Sequence, residues 1–231
     1  MNNSEIARNI FSVRERIRES AEKAGRNPDE ITLVAVSKMV SKAEMIDAYE
    51  NAGQVDFGEN RVQSLIEKYV PEFNWHMIGH LQKNKVKYIV DKVKLIHSVD
   101  SIDLMDEIER QAKKASRQVP FLLQVNVSGE ESKFGVKISE VEGIVMKMSQ
   151  YRNISLEGLM TIAPNVTNSE KTRVFFNKLY NIYIDTKKER THNVSMKYLS
   201  MGMSNDYEVA IAEGANLVRI GSSIFTKAEK A

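Results

Sequence analysis

The sequence contains no cysteine. Disulfides, thiolate metal sites and a cysteine nucleophile are therefore excluded. Long hydrophobic runs are missing too: nothing approaches the ~18 consecutive apolar residues of a membrane-spanning helix. Nor does one sign of charge dominate, since 33 basic side chains stand against 31 acidic ones. A formal net charge of +2 makes no field for a nucleic-acid or membrane surface. The first residues, Met-Asn-Asn-Ser-Glu-Ile, lack the basic segment and apolar core of a secretory signal. The expectation is a cytoplasmic protein that binds neither nucleic acid nor membrane and holds no metal. With no linker, repeat or low-complexity tract, residues 1–231 read as one domain.

What is present is ordinary for a globular chain, with 42% hydrophobic and 28% charged residues. The 231 residues suit a single (β/α)₈ barrel, which typically takes ~250. Residues 4–24 predict an amphipathic helix, because Ile6, Ile10, Val13 and Ile17 recur at helical spacing and Gly25 with Asn27-Pro28 stops the run. After it, short apolar runs alternate with helical stretches. Strands are predicted at 31–36, 54–57, 75–78, 95–99, 121–127, 156–159, 198–199 and 217–220. Helices are predicted at 43–52, 61–69, 81–90, 102–116, 139–148, 169–187 and 206–212. Apolar strands separated by helices imply a parallel sheet covered on both faces. Eight such units in this length favour a closed α/β TIM barrel with an extra N-terminal helix over an open sheet of five or six strands.

In a barrel, chemistry gathers where strands end and loops begin. Lys38 comes after the apolar run Leu33-Val34-Ala35-Val36 and Ser37. Its stem would start inside an apolar wall, which suits an amine nucleophile toward an aldehyde. The seventh strand runs into Ser200-Met201-Gly202-Met203-Ser204, and the eighth into Gly221-Ser222-Ser223. Gly202 would let the backbone approach a ligand, and Ser204 would cap a helix starting at Asn205. Barrels often hold phosphate between the loops after strands 7 and 8. A lysine facing a phosphate cup suits either a sugar phosphate, as in a Schiff-base aldolase, or pyridoxal phosphate, which carries an aldehyde and a phosphate on one ring. Arg219, just before the second glycine loop, favours the latter. Its guanidinium could reach the ring nitrogen, keep it unprotonated and weaken the ring as an electron sink. His76, one residue into its strand, reads as a satisfied core histidine.

These stretches resemble a known family. They are Leu33 to Lys38, Phe57-Gly58-Glu59-Asn60, Trp75 to Lys85, Gly158-Leu159-Met160, Leu199 to Ser204 with Asp206, and Arg219-Ile220-Gly221. Together they are similar to the pyridoxal phosphate homeostasis family, with the stretch from Trp75 to Lys85 the most specific part. The resemblance implies a fold-type III barrel like the N-terminal domain of alanine racemase. It further implies pyridoxal 5'-phosphate held as a covalent aldimine on Lys38. Ser200, Met203, Ser204, Gly221 and Ser222 would surround the phosphate, Arg219 and Asn60 would lie near the ring, and His80 and Met160 would line the open side. It implies a homeostatic carrier that delivers cofactor to apo-enzymes without catalysis. A small amino-acid racemase is the alternative. It would need a second base on the opposite substrate face, and the chain ends about ten residues after Gly221, too soon for a second domain to supply one. Without that domain a monomer is expected.

Overall fold

The computed structural model describes residues 4–189 and 191–225. Eight strands, β1 (Thr32–Val36), β2 (Asp56–Glu59), β3 (Asn74–Met77), β4 (Val93–Val99), β5 (Val119–Gln124), β6 (Ile154–Met160), β7 (Val194–Met203) and β8 (Leu217–Ile220), close into a barrel in sequence order. Every pair is parallel, and β1 meets β8 through Thr32 opposite Leu217 and Ala35 opposite Ile220. The expected barrel is thus present. The helices are α1 (Glu5–Lys23), α2 (Lys42–Ala52), α3 (Val62–Lys68), α4 (Ile102–Lys114), α5 (Val141–Lys147), α6 (Arg173–Thr186), α7 (Tyr207–Ala212) and α8 (Ser222–Phe225).

The extra helix α1 starts where the Ser4 side chain accepts the Ala7 N–H at 3.1 Å. Its apolar stripe, Ile10, Val13 and Ile17, is buried against the neighbouring helices. The helix α2 starts on a capping box of Ser41 and Glu44 and stops at Gly53, whose φ of 60° is left-handed. Most of the core lies between sheet and helices, with Phe57, Trp75, Phe121 and Phe176 fully buried. Inside the barrel, Val34, Leu95, Leu122, Met160 and Leu217 form a separate apolar layer.

Two expectations fail. The predicted helix 81–90 is a 3₁₀ segment, Lys83–Tyr88. Tight bonds such as Lys85 N–H to Gln82 C=O at 2.9 Å and Ile89 N–H to Val86 C=O at 3.1 Å carry Val86 and Ile89 into the core before β4 starts. The seventh strand is also far longer than 198–199. Ser200 pairs with Met160 and with Leu217, and Met203 pairs with Arg219, so residues expected in a loop lie in the wall. Exposed Ser195 and Lys197 interrupt the apolar pattern and hide this strand's length. Among the described residues no helix is long and apolar enough to cross a membrane.

Candidate functional site

Lys38 lies exposed in the turn after β1, so its stem is not buried as expected. The turn runs from Ser37 to Val40, whose N–H donates to the Ser37 C=O at 3.0 Å. Met39 sits at φ 63° with 94% of its surface exposed. A non-glycine residue held left-handed costs about 1–2 kcal/mol, so the surroundings must impose it. Lys68 supplies the grip. Its ammonium donates to the Ser37 C=O at 2.8 Å and the Val40 C=O at 3.3 Å, and it pairs with the buried Glu59. Glu59 in turn accepts the Ser37 hydroxyl at 3.0 Å and the Asn60 N–H at 3.1 Å. One ion pair therefore fixes both ends of the Lys38 turn and the start of the loop after β2. Replacing one partner of such a pair leaves the other buried and unpaired. Lys68→Met should cost about 3 kcal/mol, measurable as a fall in the urea midpoint.

The two glycine loops meet. The Gly221 N–H donates to Ser204 Oγ at 3.3 Å. Gly221 also packs against the end of β1, where an added Cβ would stand 3.1 Å from the Val36 backbone oxygen. Ser204 does not cap a helix as expected. The helix α7 starts at Tyr207 behind Asp206, and Asp206 Oδ1 accepts the Met203 N–H at 2.7 Å. Gly202 is required by packing: its φ is 92°, and a Cβ would come within 2.6 Å of the Ala210 Cβ. A pocket of about 470 Å³ is lined by Met203, Ser204, Asp206 and Ser222, with Ile162 and Lys133 opposite. The Lys133 ammonium is buried there without a hydrogen bond among the described residues and forms an ion pair with Glu130 Oε1 at 3.3 Å. Lys133 is not among the expected residues, because nothing in a polar loop sequence marks which lysine turns inward.

Two expected site residues have their side chains buried within the barrel. Ser200 is fully buried and its hydroxyl is taken up inside the barrel, because the continued strand turns it inward. Met160 is fully buried in the inner apolar layer and lines no open side. His80 lies at the surface in the loop after β3. Its ring stacks on Phe134 at 4.2 Å, and its Nδ1 lies 3.3 Å from Asp100 Oδ2. Asn60 is half-buried, and its side-chain amide makes no hydrogen bond among the described residues.

Arg219 is buried within the barrel wall. Its guanidinium donates to the Ser200 hydroxyl and to the Thr161 C=O at 2.9 Å. Burial lowers its pKa to about 10, against the pull of Asp206. Among the described residues no carboxylate lies within 4.0 Å of it. From Ser200 a row of side chains continues downward. The Ser200 hydroxyl lies 3.0 Å from His97 Nδ1, His97 Nε2 lies 2.9 Å from His76 Nδ1, and His76 Nε2 lies 3.0 Å from Asp56 Oδ1. His76 is thus the satisfied core histidine expected. Sequence reasoning misses His97, although a histidine within Leu95-Ile96-His97-Ser98-Val99 is the kind of buried polar residue that needs explaining. Burial lowers the pKa of both imidazoles, that of His97 well below the ordinary range.

The donor set fits pyridoxal phosphate. A buried ammonium whose one charged neighbour is Glu130, with two serines, suits a phosphate. Among the described residues a guanidinium without a contacting carboxylate suits a ring nitrogen acceptor, and an exposed lysine amine suits an aldehyde. Similarity to known proteins agrees in kind. Residues 9–228 match the family described as alanine racemase, N-terminal domain. The pyridoxal phosphate homeostasis protein of Aquifex aeolicus is 43% identical over 220 residues, covering 94% of this chain and 95% of its own. PipY of Synechococcus elongatus, solved with PLP bound, superposes with a TM-score of 0.83 at 32% identity, covering 95% of this chain and 99% of its own. An alanine racemase of Clostridium difficile shares the fold alone, at 15% identity and a TM-score of 0.72 over 97% of this chain and 57% of its own. By sequence and by architecture, the chain belongs to the alanine racemase N-terminal domain family and, within it, to the pyridoxal phosphate homeostasis proteins.

Proposed function

We propose that this chain binds pyridoxal 5'-phosphate, holds it as a Schiff base on Lys38, and passes it to apo-enzymes without catalysing a reaction on it. The observation that carries this reading is Arg219: among the described residues, a buried guanidinium with two of its five N–H groups engaged and no carboxylate in contact. The PLP-bound structure of PipY supports the choice of ligand. Lys38 presents its amine from a turn held at both ends. Lys133, Ser204 and Ser222 offer a cation and two hydroxyls to the phosphate. Arg219 would offer its remaining N–H groups to the ring nitrogen, which would then need no proton of its own. Bound there, the cofactor would supply an aldehyde for reversible imine formation, with its electron sink weakened by the unprotonated ring. That combination favours storage over turnover. Residues 1–231 act as one cofactor-binding unit in this reading, as a monomer in the cytoplasm.

The phosphate should matter as much as the aldehyde. A charge-assisted contact contributes about 1.5–3 kcal/mol, so pyridoxal phosphate should bind at least about tenfold more tightly than pyridoxal. Lys133→Met should remove most of that preference, as read by titration calorimetry. Equal affinity for the two ligands in the parent protein would overturn the phosphate pocket. The competing reading is an amino-acid racemase, which shares this barrel. Circular dichroism of single amino-acid enantiomers with the loaded protein decides it. The carrier reading expects turnover no faster than with free cofactor.

A further inference from the structure

Two ends fix the direction of the row of side chains that crosses the barrel. Arg219 can only donate, and an ionised Asp56 can only accept. Starting from Asp56, His76 must carry its proton on Nε2, which leaves Nδ1 bare. His97 must then donate from Nε2, which leaves its own Nδ1 to accept from the Ser200 hydroxyl. Ser200 Oγ in turn accepts from Arg219 Nη1. Each intermediate group gives one hydrogen bond and receives one, and all four contacts are satisfied. The reverse direction fails at the other end, because a bare His76 Nε2 would face the ionised Asp56 oxygen, two acceptors 3.0 Å apart. A second proton on the imidazole pair is opposed by burial, which lowers the pKa of both rings.

We infer that Asp56 is the counter-anion of Arg219, joined to it by a one-way hydrogen-bond chain through His76, His97 and Ser200, and that these four are positioning residues for the guanidinium. The charges facing the chain are consistent with this. Asp56 opens β2 at the end of the barrel opposite the Lys38 turn, where it also forms an ion pair with Lys94 on β4 at 3.0 Å, so one carboxylate answers a contacting cation as well as the row. Both contacts to Asp56 hold its carboxyl below the usual range despite burial. Asp206 acts on Arg219 through space without touching it. A buried cation with no contacting carboxylate is costly unless its field is answered. Aligned hydrogen bonds polarise one another in a low-dielectric interior, so the anion is felt across the barrel. The consequence is control from a distance. A surface-proximal carboxylate orients the group that meets the cofactor ring, and the Ser200 hydroxyl, already committed at both its hydrogen and its oxygen, serves the chain rather than the phosphate.

The effect on ligand rests on the pyridoxal phosphate reading above, whereas the chain itself can be read without ligand. In nitrogen NMR spectra of the ligand-free protein, His76 and His97 should both show a protonated Nε2 and a bare Nδ1. A protonated Nδ1 on His97 would overturn the inference. Asp56→Asn keeps an acceptor for His76 and removes only the charge, whereas Ser200→Ala cuts the chain beside Arg219. Each should weaken pyridoxal phosphate binding roughly fivefold, and the double variant should be no weaker than the worse single one, because both act through one network. Additive losses of roughly 25-fold, or no loss in either, would contradict the inference. If the parent protein takes up no cofactor, the ligand reading fails by itself. Exchange of the Arg219 N–H groups with water then decides the chain, faster in both single variants if it exists and unchanged if it does not.

Discussion

Lys38→Ala should abolish the visible absorption that the protein acquires with pyridoxal phosphate, and borohydride should then leave no cofactor attached. The reason is where the amine stands. Lys38 is exposed at the rim, so truncating it removes little packing and the barrel should fold as before. Its turn is held by Lys68 and Glu59, which the change does not touch. Of the other ammoniums near the site, Lys68 is engaged by Ser37, Val40 and Glu59, and Lys133 faces the pocket lined by Ser204 and Ser222 and is committed to charge rather than to the aldehyde. The Lys38→Ala protein should therefore still bind pyridoxal phosphate weakly and reversibly, through phosphate and ring contacts alone. A visible band of parent intensity in this variant would show that another lysine forms the bond.

Gly158→Ala should destabilise the barrel by more than about 4 kcal/mol, enough to leave little folded protein. Gly158 has a φ of 154°, and a Cβ there would stand 1.8 Å from the Tyr198 carbonyl oxygen. No side chain can move aside to relieve this, because the obstacle is the backbone of the adjacent strand. The pairing of β6 with β7 shifts register at this point, so the glycine allows the two strands to pass closely. Both strands lead to the site: β6 runs into Thr161, whose C=O receives Arg219, and β7 carries Ser200. Forcing them apart would disturb the guanidinium as well as the fold. Thermal unfolding monitored by circular dichroism checks this, and a midpoint within a few degrees of the parent would refute it.

The barrel is legible in the sequence because its signal is periodic. Helix spacing in Ile10, Val13 and Ile17 and short apolar runs every few dozen residues are properties of the chain read locally. Lys38, Arg219 and the two glycine loops stand out because they lie at the C-terminal ends of strands, a position set by topology and not by side-chain direction. Direction is what the sequence withholds. Ser200 reads as a loop residue because β7 shows only two apolar residues, yet pairing with Met160 and Leu217 extends that strand and turns its hydroxyl inward. Met160 and His80 share one expected role, and the structure sends the first into the inner apolar layer and the second to a stacked pair with Phe134 at the surface. Glu59 and Lys68 have no pattern to betray them. Their meaning lies in a contact between the ends of β1 and β2 and the last turn of α3, and no local spacing encodes it.

Peptide mapping by mass spectrometry, after borohydride reduction of protein loaded with one equivalent of pyridoxal phosphate, asks the question directly. The pyridoxyl increment should fall on the peptide containing Lys38, in proportion to the visible absorption lost on reduction. An increment on Lys133 or on scattered surface lysines, with the Lys38 peptide unmodified, would contradict the assignment of the anchoring amine.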